Sequence, residues 1–249
     1  MESTLHMAAL CNTPVKRKVR KRLLDLGKLQ PSSLWLPGPR CYDIKQGLAN
    51  GILSKRSARV LAVERDLSVI GQMRRTLQAL RFKFMPAIYA GELEHLQLKS
   101  VLSRLPLNFA FLDFGGLTAG LCRWMQRELV PVLAPGSFVT ATVLRTYRRN
   151  RFMPALLKSD ILEDGDLMAE TEAECPGITH VANVAMSCIK ACLWPYKLRV
   201  LCSQQYANGL GDGPRKSHLF SATFEVCDTG DGLAVSECVR LRLAKLLSY

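Results

Sequence analysis

The segment "ARVLAVERD", from Ala58 to Asp66, is a mainly apolar run that ends in charged residues. Because polar and apolar residues do not alternate strictly in it, the run is typical of a strand buried on both faces of a parallel sheet. The next residues, Leu67 to Leu80, place an apolar side chain at every third or fourth position, which predicts an amphipathic helix. This stretch therefore predicts one strand followed by one helix, the repeating unit of α/β folds.

The same unit recurs on both sides of this segment. Upstream, an apolar run at Leu34 to Leu36 precedes a helical pattern at Tyr42 to Leu53. Downstream, the pattern gives, in chain order, a strand at Ala87 to Ala90, a helix at Glu94 to Leu105, a strand ending at Asp113, a helix from about Thr118 to Leu133 and a strand at Phe138 to Leu144. Strands that alternate with helices in this way predict a mostly parallel sheet with right-handed crossovers and helices on both faces.

The character of the chain changes after Asn150. An acidic stretch from Asp160 to Glu174 is followed by a helical pattern at His180 to Cys192. Two strand-like segments, "YKLRVLCSQQY" beginning at Tyr196 and "SHLFSATFEV" beginning at Ser217, then flank a loop rich in Gly, Asn and Asp, which predicts an antiparallel hairpin. The whole pattern predicts a Rossmann-like three-layer α/β sandwich whose mostly parallel sheet ends in a C-terminal antiparallel hairpin.

Length and hydropathy predict one main domain. We assign residues 1–30 to a basic N-terminal arm and 31–227 to the Rossmann-like domain, within which 151–195 is an acidic and helical insertion and 196–227 the closing hairpin. Residues 228–249 are predicted to form a C-terminal helix. No apolar run reaches the roughly 18 residues of a membrane span, and the N-terminus lacks the apolar core of a secretory signal. We therefore expect a soluble, intracellular protein, cytoplasmic or nuclear in its host cell, with no membrane partner.

The formal net charge is +13 and the isoelectric point is near 9.5, which favours a polyanionic partner, RNA or DNA. The alternative is that the basic surface only confers solubility. The cluster "KRKVRKR" is also compatible with a disordered arm or a nuclear import signal, whereas "RTYRRNR" combines phosphate-binding arginines with a tyrosine that can stack on a base. The predicted nucleic-acid contacts are Lys16, Arg17, Lys18, Arg20, Lys21, Arg22, Arg145, Tyr147, Arg148, Arg149 and Arg151.

The nine cysteines are scattered along the chain and include no C-x-x-C pair. We interpret them as reduced thiols, most of them in the core. The four histidines show no metal-ligand spacing with one another or with a cysteine pair, so the sequence predicts no metal site.

Five strand and helix units followed by a hairpin resemble the class I S-adenosylmethionine-dependent methyltransferase fold. The resemblance covers roughly residues 30–145, with the hairpin adding 196–226. In that family the first four strands end, in turn, in a glycine loop that holds the amino acid part of the cofactor, an acid that binds the ribose, a polar residue near the adenine, and a motif that faces the substrate. The corresponding stretches in this chain are "LPGPRCYD", "VERD", "AGELEHL" and "LDFGGL".

The resemblance implies two sets of site residues. Those that would bind the cofactor are Leu36, Pro37, Gly38, Asp43, Glu64, Arg65, Gly91, Glu92 and Asp113, and those that would act on the substrate are Asp113 and Phe114. Each has an ordinary structural alternative: Glu64 is also compatible with a solvated acid near a helix start, where Asp66 suits an N-cap. Asp113 is equally suited to cap a helix or pair with an arginine, and Phe114 is compatible with the core.

The chain departs from the family pattern at the first loop. Leu36 stands where an acid is usual, and Pro39 removes an amide donor, so that Asp43 would have to replace the missing acid. The resemblance implies a methyltransferase that uses S-adenosylmethionine and acts on RNA or DNA. The alternative is a catalytically inactive, methyltransferase-like module that binds nucleic acid or a nucleoprotein, as a general similarity to methyltransferase-like proteins of phages and viruses suggests. A dinucleotide-dependent enzyme fits less well, because the loop has a single glycine.

Overall fold

The computed structural model describes residues 12–102, 106–113, 116–144, 156, 166–208, 217–228 and 247. The strands are β1 (Ser32–Trp35), β2 (Arg59–Glu64), β3 (Ala87–Ala90), β4 (Leu107–Asp113), β5 (Leu133–Leu144), β6 (Lys197–Asn208) and β7 (Ser217–Cys227). The helices are α1 (Pro14–Leu23), α2 (Tyr42–Ala49), α3 (Leu67–Ala79), α4 (Leu98–Val101), α5 (Ala119–Trp124), α6 (Asp166–Glu174) and α7 (His180–Cys192).

The seven strands form one sheet in the order β3-β2-β1-β4-β5-β7-β6. Strands β1 to β5 are parallel, whereas β7 runs antiparallel between β5 and β6. The predicted Rossmann-like architecture with a closing hairpin is therefore confirmed. Because β1 to β5 point the same way, their carboxyl ends lie along one edge of the sheet, the usual place for a ligand in open parallel sheets. We call this the carboxyl edge.

Two apolar clusters cover the two faces of the sheet. Adjacent residues of a strand point to opposite faces, so Leu34 belongs to the cluster that includes α5 and α7, and Trp35 to the cluster that includes α2 and α3. The Trp35 ring stacks on Phe111 with ring centres 5.5 Å apart. Gly47 of α2 packs directly over this ring, which fixes the helix against the end of β1.

Strand β5 begins five residues earlier than predicted. The segment that contains Pro135 and Gly136 forms a bulge inside the strand: Leu133 pairs with Leu107, and Phe138 is the next paired residue, opposite Phe109. Ser137 stabilises the bulge, because its hydroxyl donates a 2.8 Å hydrogen bond to the Leu107 carbonyl.

The predicted helix from Glu94 to Leu105 is wrong over its first half. A 3-10 turn at Leu93–His95 is separated from the short helix α4. Hydrogen bonds from outside the segment replace the intrahelical ones at the break: the Trp124 indole donates to the Leu96 carbonyl at 2.9 Å, and the Leu98 amide donates to Glu128 at 3.1 Å.

The acidic stretch includes helix α6, which packs against α7. Lys190 of α7 is buried, and its ammonium lies 2.8 Å from Glu174 and 3.2 Å from Glu170. The described part of the acidic stretch therefore neutralises a buried lysine of its neighbouring helix, which its composition alone did not indicate.

The N-terminal segment that we assigned to a basic arm includes a packed helix. Thr13 is the N-cap of α1 and accepts a 3.2 Å hydrogen bond from the Lys16 amide, while proline occupies the first helical position. Val19 and Leu23 are buried against the hairpin residues Tyr206 and Leu219. Helix α1 is thus fixed to the sheet over Pro14–Leu23.

Three further predictions fall on other parts of the chain. The predicted C-terminal helix lies outside the described residues except for Asp228 and the buried Leu247, and Phe114 and the cluster from Arg145 to Arg151 also lie outside them. None of the helices in the described ranges combines the length and the apolar character that a membrane span requires.

Candidate active site

Helix α1 is joined to the carboxyl edge by an ion pair between Lys16 and Asp113, the last residue of β4. The Lys16 ammonium lies 2.6 Å from Oδ2 of Asp113, and both side chains are largely buried. Burial lowers the pKa of Lys16, but the nearby charges of Asp113 and Asp43 outweigh that effect and raise the pKa overall. The lysine is therefore a fixed positive charge at the end of β4.

A second ion pair lies deeper, between Arg20 of α1 and Asp43 of α2. Both side chains are almost completely buried, and the Arg20 guanidinium donates to Oδ1 of Asp43. Burial raises the pKa of Asp43, while the charges of Arg20 and Lys16 oppose the rise. The carboxylate that was expected to replace the missing acid of the first loop is thus engaged by a guanidinium of the same chain.

Polar side chains of the hairpin complete the surroundings of Asp113. Tyr206 of β6 accepts a 3.4 Å hydrogen bond from the Ser221 hydroxyl, which in turn lies 2.7 Å from the hydroxyl of Thr142 in β5. Burial raises the pKa of the Tyr206 phenol, and the negative charge of Asp113 adds to the rise. The phenol therefore keeps its proton at neutral pH. We call Lys16, Asp113, Thr142, Tyr206 and Ser221 the edge cluster.

The loop after β1 is a tight turn. Gly38 has a φ of +61°, and its carbonyl accepts a 3.2 Å hydrogen bond from the Cys41 amide. Cys41 has a φ of +48°, although it is not glycine, and starts α2 with its thiol buried. Burial raises the pKa of this thiol to about 12, so it stays protonated. The carbonyl of Pro39 accepts a 3.3 Å hydrogen bond from Thr76, which ties the loop to α3.

The ends of β2 and β3 are joined to each other. The Gly91 amide donates to the Glu64 carbonyl at 2.9 Å, and Oε1 of Glu64 accepts a hydrogen bond of the same length from the Asp66 amide. Asp66 is the N-cap of α3, as the sequence predicted. Arg65 and Glu92 are largely exposed and only 3.9 Å apart, a weak surface contact.

Strand register places Glu64 and Asp113 at the same level of the carboxyl edge. Trp35 pairs with Ala62 on one side and Phe111 on the other, and each acid follows its paired residue by two positions. Since only β1 separates their strands, the two backbones are about 10 Å apart. The structure therefore brings Gly38, Glu64 and Asp113 together around the end of β1, as the sequence predicted.

Two features of the carboxyl edge were not predicted from the sequence. Lys16 and Arg20 were expected to face nucleic acid, but the structure turns both towards acids of the same chain. Their spacing of four residues, which places them on one helical face, was an available signal. Tyr206 was also missed, because nothing in the linear sequence brings the hairpin to β4.

No family model matches the chain, and no curated protein matches its sequence. Solved structures do match. The O-methyltransferase TomG from Streptomyces achromogenes, involved in tomaymycin synthesis and solved in complex with SAM, superposes with a TM-score of 0.50 at 13% identity, over 87% of this chain and 82% of that one. The chain has the class I methyltransferase fold.

TYW2 from P. horikoshii, solved in complex with MeSAdo, supports the same fold. It superposes with a TM-score of 0.50 at 11% identity, over 87% of this chain but only 65% of its own length. At these identities the comparison establishes the class I methyltransferase fold and leaves the activity to be argued from the residues at the carboxyl edge.

Proposed function

We propose that the chain is an S-adenosylmethionine-dependent methyltransferase that acts on nucleic acid. The observation that carries the proposal is the position of α1: a strongly basic helix is anchored by Lys16 and Arg20 at the carboxyl edge of a class I methyltransferase fold. Its remaining charges are thereby presented beside the place where methyl transfer would occur.

The residues at the carboxyl edge fit most of the cofactor. Gly38 provides a left-handed turn at which backbone approaches a ligand closely, and Glu64 provides a partly exposed carboxylate that suits the two ribose hydroxyls. We assign Gly91 and Glu92, which follow β3, to the adenine side of the cofactor. Asp43 is left out of the proposed ligand set, because Arg20 already binds its carboxylate.

The edge cluster supplies orientation at the substrate end. When bound, S-adenosylmethionine supplies an activated methyl group, so the chain has mainly to position the acceptor and exclude water. Lys16 fixes the carboxylate of Asp113, which accepts a hydrogen bond from a hydroxyl or amino group of the substrate. The phenol of Tyr206 belongs to the same edge cluster through its hydrogen bond from Ser221.

The outward face of α1 supports a nucleic-acid substrate. Four of its basic side chains are exposed, whereas Lys16 and Arg20 point inward. The exposed four are Arg17, Lys18, Lys21 and Arg22. Such a row of cations binds phosphates through counterion release, and the net charge of +13 has the same sign. The salt bridges to Asp113 and Asp43 fix the backbone of the helix that carries this row, which lowers the entropy cost of binding.

Calorimetry tests the cofactor. We expect S-adenosylmethionine and S-adenosylhomocysteine to bind the wild type, and Glu64→Ala to weaken binding about 10-fold or more, as loss of hydrogen bonds to a charged group predicts. Glu172→Ala, which removes an exposed acid from α6, is the matched control and should leave the affinity unchanged. Absence of binding heat for both ligands with folded wild type would refute the cofactor assignment.

Methyl transfer tests the activity. With labelled S-adenosylmethionine and pools of RNA and DNA oligonucleotides, the wild type should label nucleic acid, and Asp113→Asn should lower the rate at saturating cofactor about 100-fold. Cofactor binding without labelling of either pool would contradict a nucleic-acid substrate.

The inactive module remains a second candidate, and the structure of the first loop favours it. At the first loop Asp43 is engaged by Arg20, Cys41 is buried, and Pro39 offers no amide donor. Salt-dependent binding of oligonucleotides by a chain that binds neither cofactor form would support this candidate over the enzyme.

A further inference from the structure

Three buried cysteines meet between helices α5 and α7, away from the edge cluster. Cys122 lies on α5, and Cys188 and Cys192 lie one helical turn apart on α7. All three side chains are completely buried, and their sulfur atoms lie within 4.8 Å of one another. Sulfur atoms from two helices thus converge on one point in a mainly apolar core.

The spacing of the three sulfurs suits a shared metal ion. Cys122 Sγ and Cys188 Sγ are 3.7 Å apart. If the other two sulfur–sulfur distances are at their limit of 4.8 Å, the point equidistant from the three sulfurs lies about 2.6 Å from each, and a zinc–thiolate bond, for comparison, is about 2.3 Å long. Movements of a few tenths of an ångström, within reach of cysteine rotamers, would therefore complete three bonds.

The helix geometry explains why the thiols converge. Residues four apart on a helix lie on the same face, so Cys188 and Cys192 both point towards α5. Cys122 faces them from the second helix and lies 66 residues from Cys188 in sequence. The other buried cysteines of the described chain, Cys41 and Cys175, lie outside this group, so burial alone does not bring thiols together.

We propose that Cys122, Cys188 and Cys192 form a binding site for one soft metal ion, and that the ion is Cu(I). Thiolates select Cu(I), zinc or iron–sulfur clusters over hard cations. Structural zinc takes four protein ligands, whereas the group contains three sulfurs and no further Cys, His, Asp or Glu among the described residues. Each thiol that binds as thiolate releases its proton to solvent, so affinity should rise with pH.

Binding of the ion would join the two helices that flank one face of the sheet. Helix α5 follows β4 in the chain, and α7 packs on the same apolar cluster. Three metal–sulfur bonds would therefore fix α5 against α7 and raise the stability of the native state by mass action. This inference is independent of the proposed methyltransferase activity.

Titration of the reduced protein with Cu(I) under anaerobic conditions, in competition with a chromogenic Cu(I) chelator, tests the site. We expect one ion per chain, a rise in the melting temperature, and three sulfur neighbours in the copper X-ray absorption spectrum. Cys188→Ser should lower the Cu(I) affinity more than about 100-fold. Loss of a residue that only hydrogen-bonds to a metal ligand already costs about 10- to 100-fold in metal affinity. Cys175→Ser, which changes a buried cysteine outside the group, should bind like the wild type.

The wild-type measurements decide the question even if Cys188→Ser does not fold. No retention of Cu(I) against the chelator, or a spectrum without three sulfur neighbours, would overturn the site. Retention that Cys188→Ser leaves unchanged would overturn the assignment of ligands, and tighter binding of Zn²⁺ than of Cu(I) in the same competition would overturn the choice of ion. Refolding with Cu(I) present checks that burial of the thiols does not prevent loading.

Discussion

The buried guanidinium of Arg20 and the buried carboxylate of Asp43 form an ion pair that joins helix α1 to helix α2. The guanidinium also lies 5.9 Å from the centre of the Tyr42 ring. A charge held in this way is costly when its partner is removed, because little water reaches it. The pair therefore determines how firmly the basic helix is held at the carboxyl edge.

Arg20→Met should lower the free energy of unfolding by about 3 to 5 kcal/mol, since it leaves the Asp43 carboxylate buried without its partner. The double variant Arg20→Met with Asp43→Leu should recover most of the loss. Urea unfolding measures both. Arg17→Met, on the exposed face of the same helix, should change stability by less than about 0.5 kcal/mol. A cost for Arg20→Met no larger than that of Arg17→Met would show that the pair does not stabilise the fold.

The contribution of Lys16 to stability should depend on alkaline pH. Its pKa in the folded state is raised above the ordinary value of 10.5, so the folded state holds the proton more tightly than the unfolded state. The stabilisation is complete below pH 10.5 and is lost as the pH rises through the folded-state pKa. The difference in unfolding free energy between wild type and Lys16→Met should therefore shrink above pH 10.5. Lys18→Met controls for loss of an exposed charge, and a difference that stays constant with pH would contradict the assignment.

Two glycine to alanine changes in helices should have opposite signs. A Cβ at Gly47 would lie 3.0 Å from the Trp35 ring and 3.2 Å from Leu53, so Gly47→Ala should lower stability by about 1 to 3 kcal/mol through overpacking. At Gly71 the nearest atom is 3.9 Å away, on Arg75, and Gly71→Ala should raise stability by about 0.5 to 1 kcal/mol. Thermal unfolding of the pair measures the contrast. Equal effects would mean that α2 does not pack on Trp35 as described.

Charge reversal of the outward face of α1 should weaken nucleic-acid binding and flatten its salt dependence. Each lost phosphate contact should reduce the slope of log affinity against log salt by about 0.7 to 0.9. The variant replaces Arg17, Lys18, Lys21 and Arg22 with glutamate, and the control makes the same change at Arg74 and Arg75 of α3. Filter binding over a salt series measures the slope. A slope equal to that of the wild type would place the nucleic-acid surface elsewhere.

The sequence was sufficient to predict those strands and helices that depend on the local pattern of apolar residues. Strands β1, β2 and β4 are mainly apolar runs that are largely buried, and their shared direction placed Glu64 and Asp113 on one edge. The break before α4 was not predictable in this way, because Trp124 and Glu128, about 30 residues away, cause it. These long-range contacts outweigh the local helix propensity of the segment.

The same limit applies to the candidate site. The sequence did not predict that Lys16 points inward, because its partner Asp113 lies 97 residues later in the chain and only the fold brings the two together. Likewise, the thiols of Cys122 and Cys188 show no metal-ligand spacing in the sequence, and only helix packing brings them to 3.7 Å. Spacing rules detect metal ligands that lie in one loop or helix. They miss metal ligands that come from different secondary-structure elements.

The hydroxyl of Thr223 donates a hydrogen bond to the carbonyl of Leu23, which ends helix α1, and the two residues are 200 positions apart. During synthesis, therefore, α1 leaves the ribosome long before the hairpin on which it packs has been made. Val19 and Leu23 have no native surface to cover until β7 has emerged and entered the sheet. Packing of the basic helix on the hairpin then belongs to the last events of folding, and a nascent chain stalled before residue 217 would lack these apolar contacts of α1.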